Sequence, residues 1–172
     1  QALKKEPDNA QYRNKLKDIT NKLVGQLAGE ADVLLATEPM TVAVLDQAEE
    51  KINLVKKYDQ SKALALSSKL SGIKTDFLAL VSAKYQQGVD YAMNKEWLKA
   101  NEVLKDVQAV YPNYEQTMQM LTSARSEGAN SLLQQGTTAL KADNISEAVA
   151  LLKGALELNP SLGQANNLLK LA

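Results

Sequence analysis

Carboxylate pairs are the acid–base groups on which any catalysis by this chain would depend, because its 172 residues include neither cysteine nor histidine. Thiolate nucleophiles, imidazole bases, disulfides and the commonest zinc sites are excluded for the same reason. The candidate acids, such as Glu49, Glu50, Glu96 and Glu102, have lysines at neighbouring positions in helical patterns. A catalytic acid needs a cleft and a displaced pKa. We therefore interpret these carboxylates as solvated groups on helix surfaces.

The glycines form no cluster of the phosphate-binding type either. We expect no catalytic residue, no metal and no cofactor, and we predict that the protein is not an enzyme.

Twenty basic and twenty acidic side chains give a formal net charge of zero. Without a net field, neither nucleic acid nor an acidic membrane is an expected partner. The apolar runs are far shorter than the roughly 20 residues that span a bilayer, so we expect no membrane insertion by this segment.

The elements that would hold any site are predicted to be helices. Hydrophobic residues make up 45% of the chain and aromatic residues only 5%, which is enough for a thin core of Leu, Ala and Val. Apolar residues recur at helical spacing, and no convincing period-two strand pattern is present. The predicted fold class is all-α.

Two triplets of glycine, alanine and proline share one spacing, with twelve residues per step and forty-eight between copies: Gly88, Ala100 and Pro112, then Gly136, Ala148 and Pro160. Each copy is interpreted as two antiparallel helices joined by a short polar turn. The glycine and the alanine would lie where the two helices approach too closely for a larger side chain. The proline would end the second helix. Trp97 matches Ile145 in the other copy, which favours a packing role for this tryptophan over ligand stacking.

These residues resemble the tetratricopeptide repeat, in which a glycine late in the first helix, a small residue in the second and a terminal proline recur. The matching stretches are 81–114 and 129–162. The resemblance implies tandem αα-hairpins in an α-solenoid. The period departs from the family's 34 residues by fourteen, and the extra residues lie between Tyr114 and Gly128. They form either a separate helix or an extension of the first helix of each unit, and we favour long helices.

The extra segment recurs after Pro7, Pro112 and Pro160, with a glutamine four residues on and a leucine nine residues on: Gln11, Gln116 and Gln164, then Leu16, Leu121 and Leu169. Ile19, Ala124 and Ala172 follow at twelve residues. The predicted units, of 48 to 53 residues, are 8–59 (degenerate), 60–112, 113–160 and a partial unit 161–172. In the degenerate unit, Thr41 is the expected helix cap.

Ala2 and Leu3 precede Pro7 as Ala155 and Leu156 precede Pro160. We therefore expect that residues 1–172 form a single helical-repeat domain taken from a longer protein.

The resemblance also implies where a partner would bind, namely on the inner face of the first helices. Carried over to this sequence, that face includes in the first copy Ser82, Tyr85, Gln86, Val89, Ala92 and Met93, and in the second Asn130, Leu133, Gln134, Thr137, Leu140 and Lys141. It is apolar and rich in amides, which suits a peptide or a helix. The lengthened helices could instead cover this face and leave Tyr85 and Val89 in the core.

The leading functional hypothesis is a scaffold for protein–protein interaction that binds or positions another protein or a peptide. The alternative is a structural spacer or a self-association module between flanking domains. A bacterial protein of the periplasm or cell envelope is favoured, with the cytoplasm left open.

Overall fold

The computed structural model describes residues 9–172, and within them the chain forms seven α-helices and no strand. The predicted all-α class is confirmed. The helices are α1 (Ala10–Leu35), α2 (Val42–Lys56), α3 (Gln60–Met93), α4 (Trp97–Val110), α5 (Thr117–Lys141), α6 (Ile145–Leu158) and α7 (Gly163–Leu171). The expected match of Ala2, Leu3 and Pro7 to a preceding unit lies outside the described residues.

The chain divides into two compact units, with the boundary between Leu78 and Ala79, inside the span of α3. The first unit contains α1, α2 and the beginning of α3. The second contains the rest of α3 and all of α4 to α7. Each unit has its own apolar core, made largely of leucine, alanine and valine as the composition predicts.

In the first unit, α2 packs against the second half of α1. The buried face of α1 consists of Val24, Leu27, Ala28, Ala31 and Leu35, and that of α2 of Leu45, Ala48, Ile52 and Val55. Both helices start at side-chain caps. The Asn9 Oδ1 atom accepts a hydrogen bond from the Gln11 amide over 3.0 Å, and the Thr41 hydroxyl accepts one from the Val44 amide over 3.3 Å. The predicted cap at Thr41 is therefore confirmed.

Three ion pairs also join the helices of the first unit, each with an N–O distance of 2.6 Å. They link α2 to α1, α3 to α1 and α3 to α2, through Lys51 and Glu30, Lys69 and Asp32, and Lys74 and Glu49. All six side chains are partly exposed, so each pair is individually weak.

In the second unit, two glycines bring helices into close contact. A Cβ atom added at Gly88 would lie 2.7 Å from the Leu104 side chain, and one added at Gly136 would lie 2.9 Å from the Leu152 side chain. Leu104 and Leu152 are both fully buried. Each leucine therefore occupies the space that a side chain at the glycine would need, as the spacing of the two copies predicts.

The turns before α4 and α6 have the same backbone hydrogen bonds forty-eight residues apart. The amides of Lys95 and Glu96 donate to the carbonyls of Ala92 and Tyr91, and those of Asp143 and Asn144 donate to the carbonyls of Leu140 and Ala139. Lys95 and Asp143 both have a φ of 61°. The helices that follow are both 14 residues long and end two residues before Pro112 and Pro160, as expected of the residue preceding a proline.

The extra fourteen residues of the second copy belong largely to one long helix. The 25-residue helix α5 begins at Thr117 and continues through Gly128 without a break. The 34-residue helix α3 likewise continues through Gly72. A single helical glycine costs only about 1 kcal/mol relative to alanine, which is too little to end a helix of this length. Of the two alternatives left open by the sequence, the extended helix is the one observed.

The short helix α7 closes the end of the second unit. It packs against α6 and also contacts α5. Its Ala165 is fully buried in a cluster with Leu133, Leu152 and Ala155, and the flanking Leu162, Leu168 and Leu169 pack around that cluster. None of the helices in the part of the chain that the structure describes combines the length and the apolarity needed to cross a membrane.

Candidate partner-binding groove

A groove of about 580 Å³ runs along α5 beside the start of α7. Its lining residues are Asn130, Leu133, Gln134, Thr137, Thr138, Lys141 and Gln164. Six of the seven lie on α5, at the spacings of three, four and seven residues that place side chains on one face of a helix. The seventh comes from the first turn of α7. We refer to this set as the α5–α7 groove.

The floor of the groove is apolar and belongs to the core of the second unit. Leu133 is only 8% exposed and packs with Leu152, Ala155 and Ala165. Leu140 is half-buried at the edge of the same cluster. These two predicted contact residues are thus partly covered by the core of the second unit, so a partner would contact their exposed edges only.

The walls of the groove carry polar groups that are open to a ligand. Among the described residues, the amides of Asn130, Gln134 and Gln164 have no hydrogen-bonding partner for their side chains, and Lys141 has no carboxylate within ion-pair distance. Each amide can both donate and accept, and the ammonium group only donates. The groove therefore offers both kinds of hydrogen bond together with one positive charge.

Two threonines contribute acceptors to the same wall. The Thr137 hydroxyl donates to the Leu133 carbonyl over 2.7 Å, and the Thr138 hydroxyl donates to the Gln134 carbonyl over 3.0 Å. Because each hydroxyl proton is engaged within the helix, the oxygen lone pairs stay available to a donor such as a peptide N–H.

The residues predicted in the first copy have different surroundings. The Tyr85 ring packs edge-on against Tyr114, with centroids 5.5 Å apart, and Tyr114 in turn lies 5.4 Å from Tyr111. Tyr85 and Val89 are half-buried. The segment between α4 and α5 thus covers part of this face, whereas the alternative interpretation expected the lengthened helices to cover it and to leave both residues in the core.

The remaining predicted residues of the first copy lie closer to solvent. The Gln86 amide donates to the Asp90 carboxylate over 2.9 Å, so its donor is already engaged. Met93 and Ser82 are exposed, and Ala92 is half-buried. The second copy therefore has the better-formed candidate site.

Sequence reasoning missed two groove residues, Thr138 and Gln164. Thr138 lies four residues after Gln134 and eight after Asn130, so the helical spacing alone could have included it. Gln164 is the glutamine that recurs four residues after each proline. Its recurrence was visible, but only the position of α7 beside α5 turns it towards the predicted face.

The acidic candidates lie outside the groove. Glu49 pairs with Lys74, and Glu96 accepts a hydrogen bond from Lys99, which raises the pKa of that lysine. Glu50 and Glu102 are exposed. Within residues 9–172, no three acidic side chains come together as metal ligands would.

The chemistry of the α5–α7 groove is that of recognition through hydrogen bonds, a shallow apolar contact and one cation. Amides and hydroxyls at this spacing match the alternating donors and acceptors of a polypeptide backbone. Comparison of the chain with protein-family models, with curated proteins and with solved structures finds no match.

Proposed function

We propose that this chain is a non-enzymatic scaffold for protein–protein interaction, built from tetratricopeptide-like repeats, and that the α5–α7 groove binds an extended peptide segment of its partner. The observation that carries the proposal is the row of unpaired amides and the unpaired lysine above an apolar floor. Unpaired polar groups held on a rigid helix face suit a ligand that brings its own donors and acceptors.

The repeat assignment is supported by features that recur forty-eight residues apart. The turn hydrogen bonds at Lys95 and Asp143 are equivalent, and the glycine–leucine contacts at Gly88 and Gly136 are equivalent too. In a solenoid of such units, successive first helices form one inner face. The proposed groove lies between α5 and α7, which we assign as the first helices of consecutive units.

The dimensions of the groove favour a short extended ligand. Asn130 and Lys141 are eleven residues apart on one helix, which corresponds to about 16 Å. An extended peptide covers that distance with about five residues. Lys141 stands at one end of the groove, so we expect an acidic side chain at the corresponding end of the peptide.

The test is a selection of peptides from a random displayed library against the whole chain, followed by affinity measurements on the groove variant Asn130→Ala/Gln134→Ala. We expect the selected peptides to lose about tenfold or more in affinity for this variant, since two hydrogen-bonding residues are removed. Gln119→Ala is the matched control, because Gln119 is an exposed glutamine on the same helix outside the groove. Peptides that bind both variants equally well would refute the assignment of this groove.

A second candidate function, a structural spacer, is favoured by the length of α3. Its 34 residues correspond to about 50 Å. The groove variant Asn130→Ala/Gln134→Ala separates the two functions. Loss of a partner with unchanged helicity supports binding, whereas unchanged partner binding supports the spacer.

A further inference from the structure

A second groove, of about 480 Å³, lies beside the first, between the second half of α5 and the start of α6. We call it the α5–α6 groove. Ala139, Ala142 and Leu151 form its apolar lining, and the polar lining includes Asn144 and Glu147. The helices that precede and follow this hairpin, α4 and α7, are both described, and neither of them lines the groove. Its openness is therefore set by residues of the hairpin itself.

Two polar side chains of the α5–α6 groove are not used by the fold. Asn144 stands at the N-cap position of α6, where asparagine usually accepts a hydrogen bond from a backbone amide of the first turn. Here its side chain makes no such bond. Within residues 9–172, Glu147 also has no ion pair and no hydrogen-bonding partner for its carboxylate. The groove thus offers one unpaired carboxylate and one unpaired amide.

The equivalent place in the first copy, forty-eight residues earlier, is filled by side chains of the chain itself. Tyr91 is the equivalent of Ala139, and Lys99 is the equivalent of Glu147. The Tyr91 ring is half-buried, and the Lys99 ammonium group lies over it at 5.3 Å from the centroid. Glu96, the equivalent of Asn144, pairs with Lys99. A flat ring, a cation and a carboxylate therefore lie together in the first hairpin.

The second copy keeps the carboxylate but lacks the other two groups. The turns before α4 and α6 have the same backbone hydrogen bonds, so equivalent residues occupy equivalent places. Ala139 leaves open the space that the Tyr91 ring fills in the first copy. Glu147 places a negative charge at the position from which Lys99 supplies the positive one. The α5–α6 groove is thus complementary to a ligand that is both flat and positively charged.

Among protein side chains, arginine has both properties. Its guanidinium group is planar and always charged, and its N–H groups match a carboxylate in a two-pronged hydrogen bond. Lysine has the charge without the flat group, and an aromatic side chain has the flat group without the charge. The methylene stem of arginine also suits a lining of alanine and leucine, because such stems pack along apolar surface.

We propose that the α5–α6 groove binds an arginine side chain of the partner, with the guanidinium group against the Glu147 carboxylate. The Asn144 side-chain oxygen accepts a further N–H donor. The Gln135 amide donates to the Ser131 hydroxyl over 3.1 Å, which leaves the Gln135 carbonyl oxygen as an acceptor. The start of a helix disfavours a cation. Lys99 nevertheless holds this place at the start of α4, where its carboxylate partner compensates.

This inference rests on the proposed function only in taking the arginine from a partner protein. Gln134 and Thr138 line both grooves, so one peptide can reach from the α5–α7 groove into the α5–α6 groove. The partner segment would then carry an arginine beside the residues that lie along α5.

The test uses N-acetyl-L-arginine amide as the probe, titrated into the whole chain and followed by proton–nitrogen NMR. We expect saturable shifts of the amide signals at the end of α5 and in the first turn of α6. N-acetyl-L-citrulline amide has nearly the same shape without the charge, and it should bind about tenfold more weakly. N-acetyl-L-lysine amide should also bind more weakly, because it lacks the planar group.

Glu147→Gln should weaken binding of the arginine probe about tenfold, since it removes the charge and keeps the shape. Glu157→Gln is the matched control, because Glu157 is an exposed glutamate of the same helix outside the groove. Ala139→Tyr introduces the residue of the first copy and should abolish binding by filling the groove. Circular dichroism checks that each variant keeps its helix content.

The absence of saturable shifts would overturn the inference, as would equal binding of the citrulline or lysine probe. Unchanged binding to Glu147→Gln would overturn it too. Neither Ala139 nor Glu147 lines the α5–α7 groove, so the two proposals fail separately. Selected peptides that need the α5–α7 groove, with no response to the arginine probe, would refute this inference alone. A response to the probe, with selected peptides indifferent to Asn130→Ala/Gln134→Ala, would refute only the peptide site in the α5–α7 groove.

Discussion

The first half of α1 and the first half of α5 share one sequence pattern, but its residues are exposed on α1 and buried on α5. Leu16 is 50% exposed, whereas Leu121, its equivalent at 105 residues, is 1% exposed. The difference lies in the neighbour, because α4 packs on α5 and the first half of α1 has no such helix among the described residues. An apolar stripe thus predicts that a face can be covered. Whether it is covered depends on the preceding element.

The two units also differ in how their helices approach one another. In the second unit, a Cβ atom at Gly88, Gly128 or Gly136 would meet a side chain at 2.9 Å or less. In the first unit, Gly25, Gly29 and Gly72 have nothing within 4 Å of such an atom. The first unit instead uses buried alanines and three ion pairs between its helices. Close glycine contacts are therefore found in the second unit, at Gly88, Gly128 and Gly136, and not at the three glycines of the first unit.

The largest expected effect comes from truncating the equivalent leucines. Leu121→Ala should destabilise the protein by about 2–5 kcal/mol, because it opens a cavity under α4. Leu16→Ala should change stability by no more than about 0.5 kcal/mol, because that side chain is already in contact with water. Urea denaturation followed by circular dichroism measures both. Trp97, the only tryptophan of the chain, reports on the second unit by its fluorescence. Similar losses for the two variants would mean that the stripe on α1 is already covered.

The next largest effect is a stability change of opposite sign when each of two glycines is replaced by alanine. A Cβ atom at Gly128 would lie 2.6 Å from Trp97 Cβ and 2.7 Å from Leu158 Cδ1. Because Trp97 Cβ is fixed to the backbone, the added methyl group of Gly128→Ala should lower the stability of the fold by about 1–3 kcal/mol through overpacking. The higher helix propensity of alanine offsets about 1 kcal/mol of this loss.

Gly25→Ala is the matched substitution in open space on α1, and it should stabilise the protein by about 0.5–1 kcal/mol. Thermal unfolding of the two variants measures the sign. A stabilising Gly128→Ala would show that α4 and α5 can separate without loss of stability, which would contradict the close contact between Gly128 and Trp97.

Much of the fold could be predicted from the sequence because its determinants are local or repeated. The helical class follows from apolar spacing, the ends of α4 and α6 from Pro112 and Pro160, and the start of α2 from Thr41. The continuity of α3 and α5 was left open, since one glycine shifts the helix balance too little to decide it. The contact between Tyr85 and Tyr114 was not predicted, since the alternative interpretation expected the lengthened helices to cover Tyr85. It depends on the path of the chain between α4 and α5.

The candidate site could be predicted in part for the same reason. Five of the seven groove residues are on the face named from the sequence, since helical spacing fixes which side chains of α5 share a face. The burial of Leu133 could not be foreseen, because it arises from contact with Ala165 of α7. The spacing of residues within one helix does not predict which other helix packs against it.

The smallest expected effect tests the ion pairs of the first unit. The hydrogen bond from Lys51 lowers the pKa of Glu30, with a further contribution from Gln26, and the bond to Glu30 raises the pKa of Lys51. Because the pKa of Glu30 is lowered in the folded protein, its ionised carboxylate stabilises the fold at any pH above the ordinary pKa of the group. This contribution disappears as the pH falls through the lowered pKa. For Lys51 the contribution is present below its ordinary pKa and is lost as the pH rises through the raised one.

Carboxyl-carbon NMR titration of Glu30 measures the first of these shifts directly. Lys51→Met should move the pKa of Glu30 upward towards its ordinary value, because it removes the main hydrogen-bond donor. Gln26→Ala should move it in the same direction by less, since this side chain is the smaller cause. A Glu30 pKa that stays unchanged in Lys51→Met would mean that the pair does not persist in solution. Buried alanines such as Ala31 and Ala48 would then be left to hold α1 against α2 without it.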